Sequence, residues 1–233
     1  MSLHLLYTSD MHNRLEPLAR IPDLLRPHSV LLDGGDALAG SNTVFRWEEP
    51  ALHRMGRLGY RAMAMGNREF SYFRWVLRWR EQERPFPLLA CNLQDLRQRQ
   101  QDWRSWVELP EHRAIVVGVT PVQYPLGSGW ERLTGFRFLD PAVCLPPLLE
   151  ELRPRARHLI VLSHLGLKVD LQLAERGLAA DLMLGGHSHD LTPQPLRRGG
   201  LMLVHPGSHG RYLAELEHSP ESGRWEGRLH ACR

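Results

Sequence analysis

The chain has 233 residues, 42% of them hydrophobic and 24% charged, with a formal net charge of +3. These proportions belong to a folded soluble protein and exclude disorder, collagen-like repeats and coiled coils. No stretch approaches the roughly 18 apolar residues of a membrane-spanning helix, so no membrane partner is expected.

In chain order, short apolar runs alternate with longer amphipathic segments. Leu3–Thr8, Ser29–Leu32, Leu88–Ala90, Ile115–Val119, Leu159–Leu162 and Leu182–Leu184 read as strands buried on both faces. Ala51–Leu58, Ser71–Glu83 and Asp170–Arg176 have helical spacing, with Gly177 as a stop after the last. Trp75, Leu77 and Trp79 alternate with Arg74, Arg78 and Arg80, and the tryptophans read as core or helix-packing groups rather than a base-stacking platform. Leu201–Val204, Tyr212–Glu217 and Arg224–Ala231 read as antiparallel strands, with the last turn at Ser219–Gly223. The expectation is alternating α/β with a β-rich end, in a single domain over 1–233.

Lys168 is the only lysine, so 28 of the 29 basic residues are arginine. They are scattered, and the densest run, Arg153, Arg155 and Arg157, reads as a solvated face; nucleic acid is not an expected partner. Cys91, Cys144 and Cys232 form no CxxC pair and no disulfide framework. Because the first strand-like run starts almost at Met1, no signal peptide is expected. Together these features point to a reducing cytoplasm.

Polar residues cluster where predicted strands end, the place where open α/β sheets carry their sites. Five such ends deliver Asp10, His12, Asp36, Asn67, His164, His187 and His189. In extended chain, residues i and i+2 point the same way, so Asp10 with His12, and His187 with His189, are each expected to aim at one point. Carboxylate, amide and imidazole donors without cysteine suit a pair of divalent cations: Mn²⁺, Fe, Zn²⁺ or Co²⁺. Such a pair, about 3.5–4 Å apart, activates water and clamps a phosphoryl group. A P-loop, a dinucleotide-binding glycine motif and a serine-hydrolase elbow are all missing from the sequence.

The blocks TSDMHNRLEP, LLDGGDALAGS, GYRAMAMGNREF, FPLLACNL, LSHLG and GGHSH resemble the calcineurin-like metallophosphoesterases, and within them the catalytic domain of 5′-nucleotidases. The resemblance spans roughly Leu3 to Leu216. It implies a four-layer α/β/β/α sandwich, two mixed β-sheets flanked by helices. It also implies two cations, with Mn²⁺ first and Mg²⁺ also possible. Asp10, His12, Asp36 and His189 would hold one; Asp36, Asn67, His164 and His187 would hold the other. Asp36 and a hydroxide nucleophile would bridge them. The implied activity is hydrolysis of small phosphate esters or anhydrides, nucleotides among them. A phosphodiesterase acting on cyclic nucleotides or other diesters, and a non-catalytic metal-binding module, are the alternatives.

Two departures stand out. Where the family reads GNHEF and then Asp, this chain reads Gly66-Asn67-Arg68-Glu69-Phe70-Ser71. The phosphoryl-contacting His is thus Arg68, and the Asp that orients it is Ser71. Arg68 is expected to stabilise the phosphoryl transition state by charge, with Asn67 beside it, but it cannot donate a proton near neutral pH. Nucleotidases of this kind also continue into a nucleotide-binding C-terminal domain, which is not expected here. Arg14 and Asn92 are expected to contact substrate. His205 and His209, in VHPGSHG, read as structural, with His209 an alternative proton donor. The oligomeric state stays open.

Overall fold

The structure is a computed structural model that describes residues 2–82, 84–97 and 102–232. The predicted apolar runs become strands buried along their length, and partly exposed strands such as Leu196–Arg198 and Arg224–Ala231 join them. In chain order these are β1 (His4–Thr8), β2 (Val30–Asp33), β3 (Ala62–Ala64), β4 (Leu88–Leu89), β5 (Leu93–Asp95), β6 (Trp106–Leu109) and β7 (Ala114–Val119). The second half adds β8 (Phe136–Phe138), β9 (His158–Ser163), β10 (Leu182–Gly185), β11 (Leu196–Arg198), β12 (Leu201–Val204), β13 (Tyr212–Ser219) and β14 (Arg224–Ala231). The helices are α1 (Glu16–Arg20), α2 (Pro50–Leu58), α3 (Arg74–Gln82), α4 (Gly129–Thr134), α5 (Pro141–Leu152) and α6 (Leu167–Glu175). Glu83, the predicted end of the third helix, and Met1 and Arg233, the ends of the expected domain, lie outside the described residues. No described helix is long and apolar enough to cross a membrane.

Two six-stranded sheets run in the orders β14-β13-β1-β2-β3-β4 and β11-β12-β10-β9-β7-β6, and β5 pairs with β8 apart from them. Both large sheets are mixed: β1 to β4 are parallel with β13 antiparallel to β1, while β12, β10, β9 and β7 are parallel with antiparallel strands at both edges. Period-two alternation divides each strand between two cores. Leu5, Tyr7 and Leu32 of one sheet meet Val116, Ile160, Leu162 and Leu184 of the other between the sheets. Leu6, Leu31 and Met63 face outward onto Leu18, Leu52, Met55 and Leu77 of α1 to α3. Leu159, Val161 and Met183 face Leu145, Leu149 and Leu173 of α5 and α6. The expected four-layer sandwich is therefore the observed architecture. The sheets approach closely at Gly118, where a Cβ would lie 2.2 Å from Leu89 Cβ.

Helix α5 is absent from the sequence reading because Pro146 and Pro147 lie inside it. Two prolines remove two ladder donors. The helix forms nonetheless, because Asp140 caps it by accepting from Ala142 N at 2.8 Å and because Leu145, Leu149 and Leu152 are fully buried against the sheet. Packing overrides propensity here.

Helix α3 departs differently. Its buried face is Val76, Leu77 and Arg80, whereas Trp75 is 49% exposed. Trp75 is therefore corrected from a core group to an exposed one, whereas Trp79 is half-buried. They join Phe45 and Trp47 in an aromatic cluster on the outer face. Trp and Arg alternate along this segment, so either set could have faced inward; the need for a cation inside, described below, selects Arg80.

Glu215 on β13 gathers His4 Nε2 at 2.9 Å, and Arg26, Arg228 and His230 at 2.7 Å each, tying β1 and β14 to β13. Burial opposes its ionisation, but Arg228, His4 and His230 outweigh burial and hold the carboxyl at about 2. A depressed carboxyl stabilises the fold fully above its unfolded value of about 4.3 and loses that contribution as pH falls toward 2. Glu215→Gln is expected to cost about 2 kcal/mol at neutral pH. Calorimetric melting across the pH range should show the gap between variant and parent closing between pH 4.5 and 2.

Candidate metal centre

The candidate ligands leave the strands on turns with unusual backbone. Asp10 follows β1, Asp36 follows β2 and His187 follows β10. Asp10, His12, Asp36, His187 and His189 all have φ between 50° and 73°, in the left-handed region. Side-chain-bearing residues occupy this region only where the surroundings impose it. The expected extended i, i+2 geometry is thus replaced by left-handed turns. Backbone hydrogen bonds between loops impose them. Asp10 N donates to Gly35 O at 2.9 Å, His12 N to Asp36 O at 3.0 Å, and Gly186 N to Ser163 O at 2.9 Å. Gly186 is needed for close approach, since a Cβ there would fall 2.2 Å from Ser9 Oγ and 2.6 Å from Asp10 Oδ2.

The side chains converge. Asp10, Asp36 and His164 are buried, with one ligand atom of each within 4.8 Å of the others. Asp10 accepts from Ser9 Oγ at 2.6 Å and from His187 N at 3.0 Å. His164 Nδ1 donates to Gly34 O at 2.7 Å, which turns Nε2 toward Asp36 Oδ1, 3.4 Å away. On the open side, His12 Nε2 faces His189 Nε2 at 3.1 Å, and His189 Nε2 lies 3.5 Å from Asp10 Oδ1. Asn67 Oδ1 meets His187 Nδ1 at 3.1 Å. All seven predicted ligands therefore fall in one connected cluster.

The electrostatics fit cations. Burial works against a charge on His164, but Asp36, Asp10 and Glu69 outweigh it and push the imidazole up to about 10. A pair of buried carboxylates demands positive charge, which a bound cation would supply. Burial and Arg68 hold His12 down to about 4, and burial and His164 lower His187. Both imidazoles thus stay neutral, the form that ligates metal. His164 Nε2 and His12 Nδ1 are buried without a hydrogen-bond partner among the described residues. Mixed nitrogen and oxygen donors of this kind suit divalent transition ions.

Arg68 donates from one terminal nitrogen to Ala39 O and Gly40 O, both at 3.0 Å, and its Nε lies 3.6 Å from Asp36 Oδ2. Its side chain is 34% exposed. The Ser71 hydroxyl donates to Asn42 O at 3.4 Å and accepts from Phe73 N at 3.2 Å. Arg14 is exposed, packed beside Gly210. Asn92 is fully buried and bonds only backbone among its contacts here: Thr120 O at 2.8 Å, Leu139 O at 3.2 Å and Thr120 N at 2.9 Å. These bonds make it a clamp between two loops. His205 is likewise internal, 2.8 Å from Asp170, which accepts from Ser163 at 2.5 Å.

Two residues without an assigned role in the sequence reading hold the centre together. Glu69 is buried and accepts from Asp36 N at 2.7 Å, Gly66 N at 3.0 Å and Leu38 N at 3.3 Å. Burial and the charge of Asp36 raise its carboxyl to about 7. Arg80, buried on α3, donates to Arg68 O at 2.7 Å and Glu69 O at 3.0 Å. Glu69 stands within the GNREF block, which was its only sequence signal; an arginine on an amphipathic helix carries none.

A model of the calcineurin-like phosphoesterases matches residues 3–191. Among curated proteins, the chain is 29% identical to 5′-nucleotidase of Bos taurus, over 80% of this chain and 38% of that one. It is 27% identical to Protein UshA of Yersinia enterocolitica, over 83% and 42% respectively. The chain thus spans less than half the length of these relatives. Among solved structures, the 5′-nucleotidase precursor from Thermus thermophilus superposes with a TM-score of 0.79 at 22% identity, covering 100% of this chain and 55% of the other. That likeness speaks for the fold.

Glu69→Ala leaves three buried N–H groups without their acceptor and is expected to cost about 3 kcal/mol in urea unfolding. Glu69→Gln, which keeps one carbonyl acceptor, should cost clearly less in the same measurement.

Proposed function

The chain belongs to the calcineurin-like phosphoesterase family, and from that premise we propose that it hydrolyses small phosphate esters or anhydrides, nucleotides among them, with two divalent cations. The observation that carries this reading is the meeting of buried Asp10, Asp36 and His164 with open-sided His12 and His189. Asp10, His12, Asp36 and His189 would hold one cation, and Asp36, Asn67, His164 and His187 the other, with Asp36 shared. Mn²⁺ is the first choice on these two four-residue donor sets alone, with Fe, Zn²⁺, Co²⁺ and Mg²⁺ as alternatives. When bound, such cations polarise phosphoryl oxygens and acidify water.

The chain's own residues do the rest. The tautomer of His164 is set by Gly34 O, which keeps Nε2 directed at the carboxylates. Arg68 is anchored through one terminal nitrogen on Ala39 O and Gly40 O. Its guanidinium stays at the partly open rim beside Asp36, where a phosphoryl oxygen would find a fixed positive charge. It offers no titrating proton, since arginine stays protonated up to a pKa above about 12. The Ser71 hydroxyl is occupied by Asn42 O, so no carboxylate orients a proton donor at this position. Alkoxide leaving groups therefore depart without acid assistance, a deficit on the order of 10²–10⁴-fold.

The expected ranking follows from leaving-group quality. With Mn²⁺ present, p-nitrophenyl phosphate and nucleoside diphosphates should turn over on the order of 10²-fold faster than nucleoside monophosphates. The double variant Arg68→His, Ser71→Asp should narrow that ratio, and Asp36→Ala should abolish turnover of every substrate without loss of fold. Bis-p-nitrophenyl phosphate and cyclic nucleotides belong in the same panel; preference for them would replace this reading with a phosphodiesterase. Absence of cation-dependent turnover across the panel would defeat it.

A further inference from the structure

His209 has no place in the ligand sets above, yet the fold delivers it to the cluster. It lies in the loop after β12 at φ 57°, again in the left-handed region. Its backbone N–H donates to Asp10 O at 2.8 Å, which ties this loop directly to a candidate ligand. Its ring centroid is 4.8 Å from that of His12 and 5.3 Å from that of His189. One ring nitrogen from each of the three imidazoles lies within 4.8 Å of the other two. His209 Nδ1 is engaged by Ser208 Oγ at 2.9 Å, which leaves Nε2 to carry a ligating lone pair. Of these three rings, two are exposed and one is half-buried, so an ion can reach them from solvent.

We propose that His209 is an additional protein ligand, giving the cation position of Asp10, His12, Asp36 and His189 a third imidazole. The inference deepens the cation-binding reading above and rests on it. With three imidazoles and two carboxylates, this position is richer in nitrogen than the one formed by Asp36, Asn67, His164 and His187. Imidazole donors favour Zn²⁺ and Co²⁺ over Mn²⁺ and Mg²⁺. The two positions therefore differ in metal preference, and the one at the open rim is the Zn²⁺- or Co²⁺-selective one.

The test is a titration of the full chain with Zn²⁺ in competition with a chromophoric chelator, checked by elemental analysis. The parent, His209→Ala, His28→Ala as an exposed-histidine control, and Asp36→Ala are compared. Two equivalents are expected in the parent. His209→Ala should weaken one equivalent by at least about tenfold and leave the other unchanged, and it should alter the visible band of one Co²⁺ equivalent. The control should match the parent. Unchanged affinity for both equivalents in His209→Ala, with an unchanged Co²⁺ spectrum, would overturn the proposal. The Asp36→Ala arm separates this from the parent reading: loss of both cations there upholds the shared carboxylate whatever His209 does, whereas uptake of fewer than two cations by the parent overturns both.

Discussion

Two carboxylates, Asp10 and Asp36, are buried side by side where the ends of β1 and β2 meet the second sheet. Charge of one sign concentrated in a low-dielectric site is costly unless positive charge answers it. Much of the local structure can be understood as that answer. The raised His164 imidazole, the Arg68 guanidinium 3.6 Å from Asp36 and the N–H groups of Arg68 and His187 all point at the two carboxylates. The same demand suits the cluster to cations.

The demand reaches outward through a second ring of polar groups. Glu69 collects backbone donors from both the Asp36 turn and the Gly66 turn, and Arg80 grips the carbonyls that follow. A buried carboxylate thus organises the loops, and a buried guanidinium balances it. This explains why α3 presents Arg80 inward and leaves Trp75 on the surface. Left-handed backbone at five candidate ligands stores strain that only such a network of inter-loop hydrogen bonds sustains. Side chains held this way are fixed by the protein's own hydrogen bonds.

Arg68 and Ser71, which stand where the family resemblance implies His and Asp, fit this picture. Arg68 keeps a positive charge beside Asp36 while tying itself to the Ala39–Gly40 turn. Ser71 keeps the local turn through Asn42 O and Phe73 N. Under the proposed function, an arginine at this position supplies charge without a titrating proton, and the consequence would fall on the leaving group.

How much was legible in the sequence depended on the range of the interaction. Strand runs such as His158–Ser163 were readable because burial on both faces leaves an unbroken apolar signature, and the candidate ligands were readable because they sit where those runs stop. Helix α5 was not, because its two prolines are tolerated only through burial against a sheet formed elsewhere in the chain. Asn92 stood in a suggestive block, but its hydrogen bonds to Thr120 and Leu139 come from residues 28 and 47 positions away. Local pattern therefore determined the alternating α/β class and which donor types gather at the strand ends, while the four layers followed from the family resemblance. Only the tertiary structure decided that the ligand-bearing turns are left-handed, that Glu69 and Arg80 secure them, and that His209 reaches His12 and His189. Those outcomes rest on contacts between distant segments, and a charged or imidazole side chain looks the same in sequence whether it meets solvent, a backbone carbonyl or another ring.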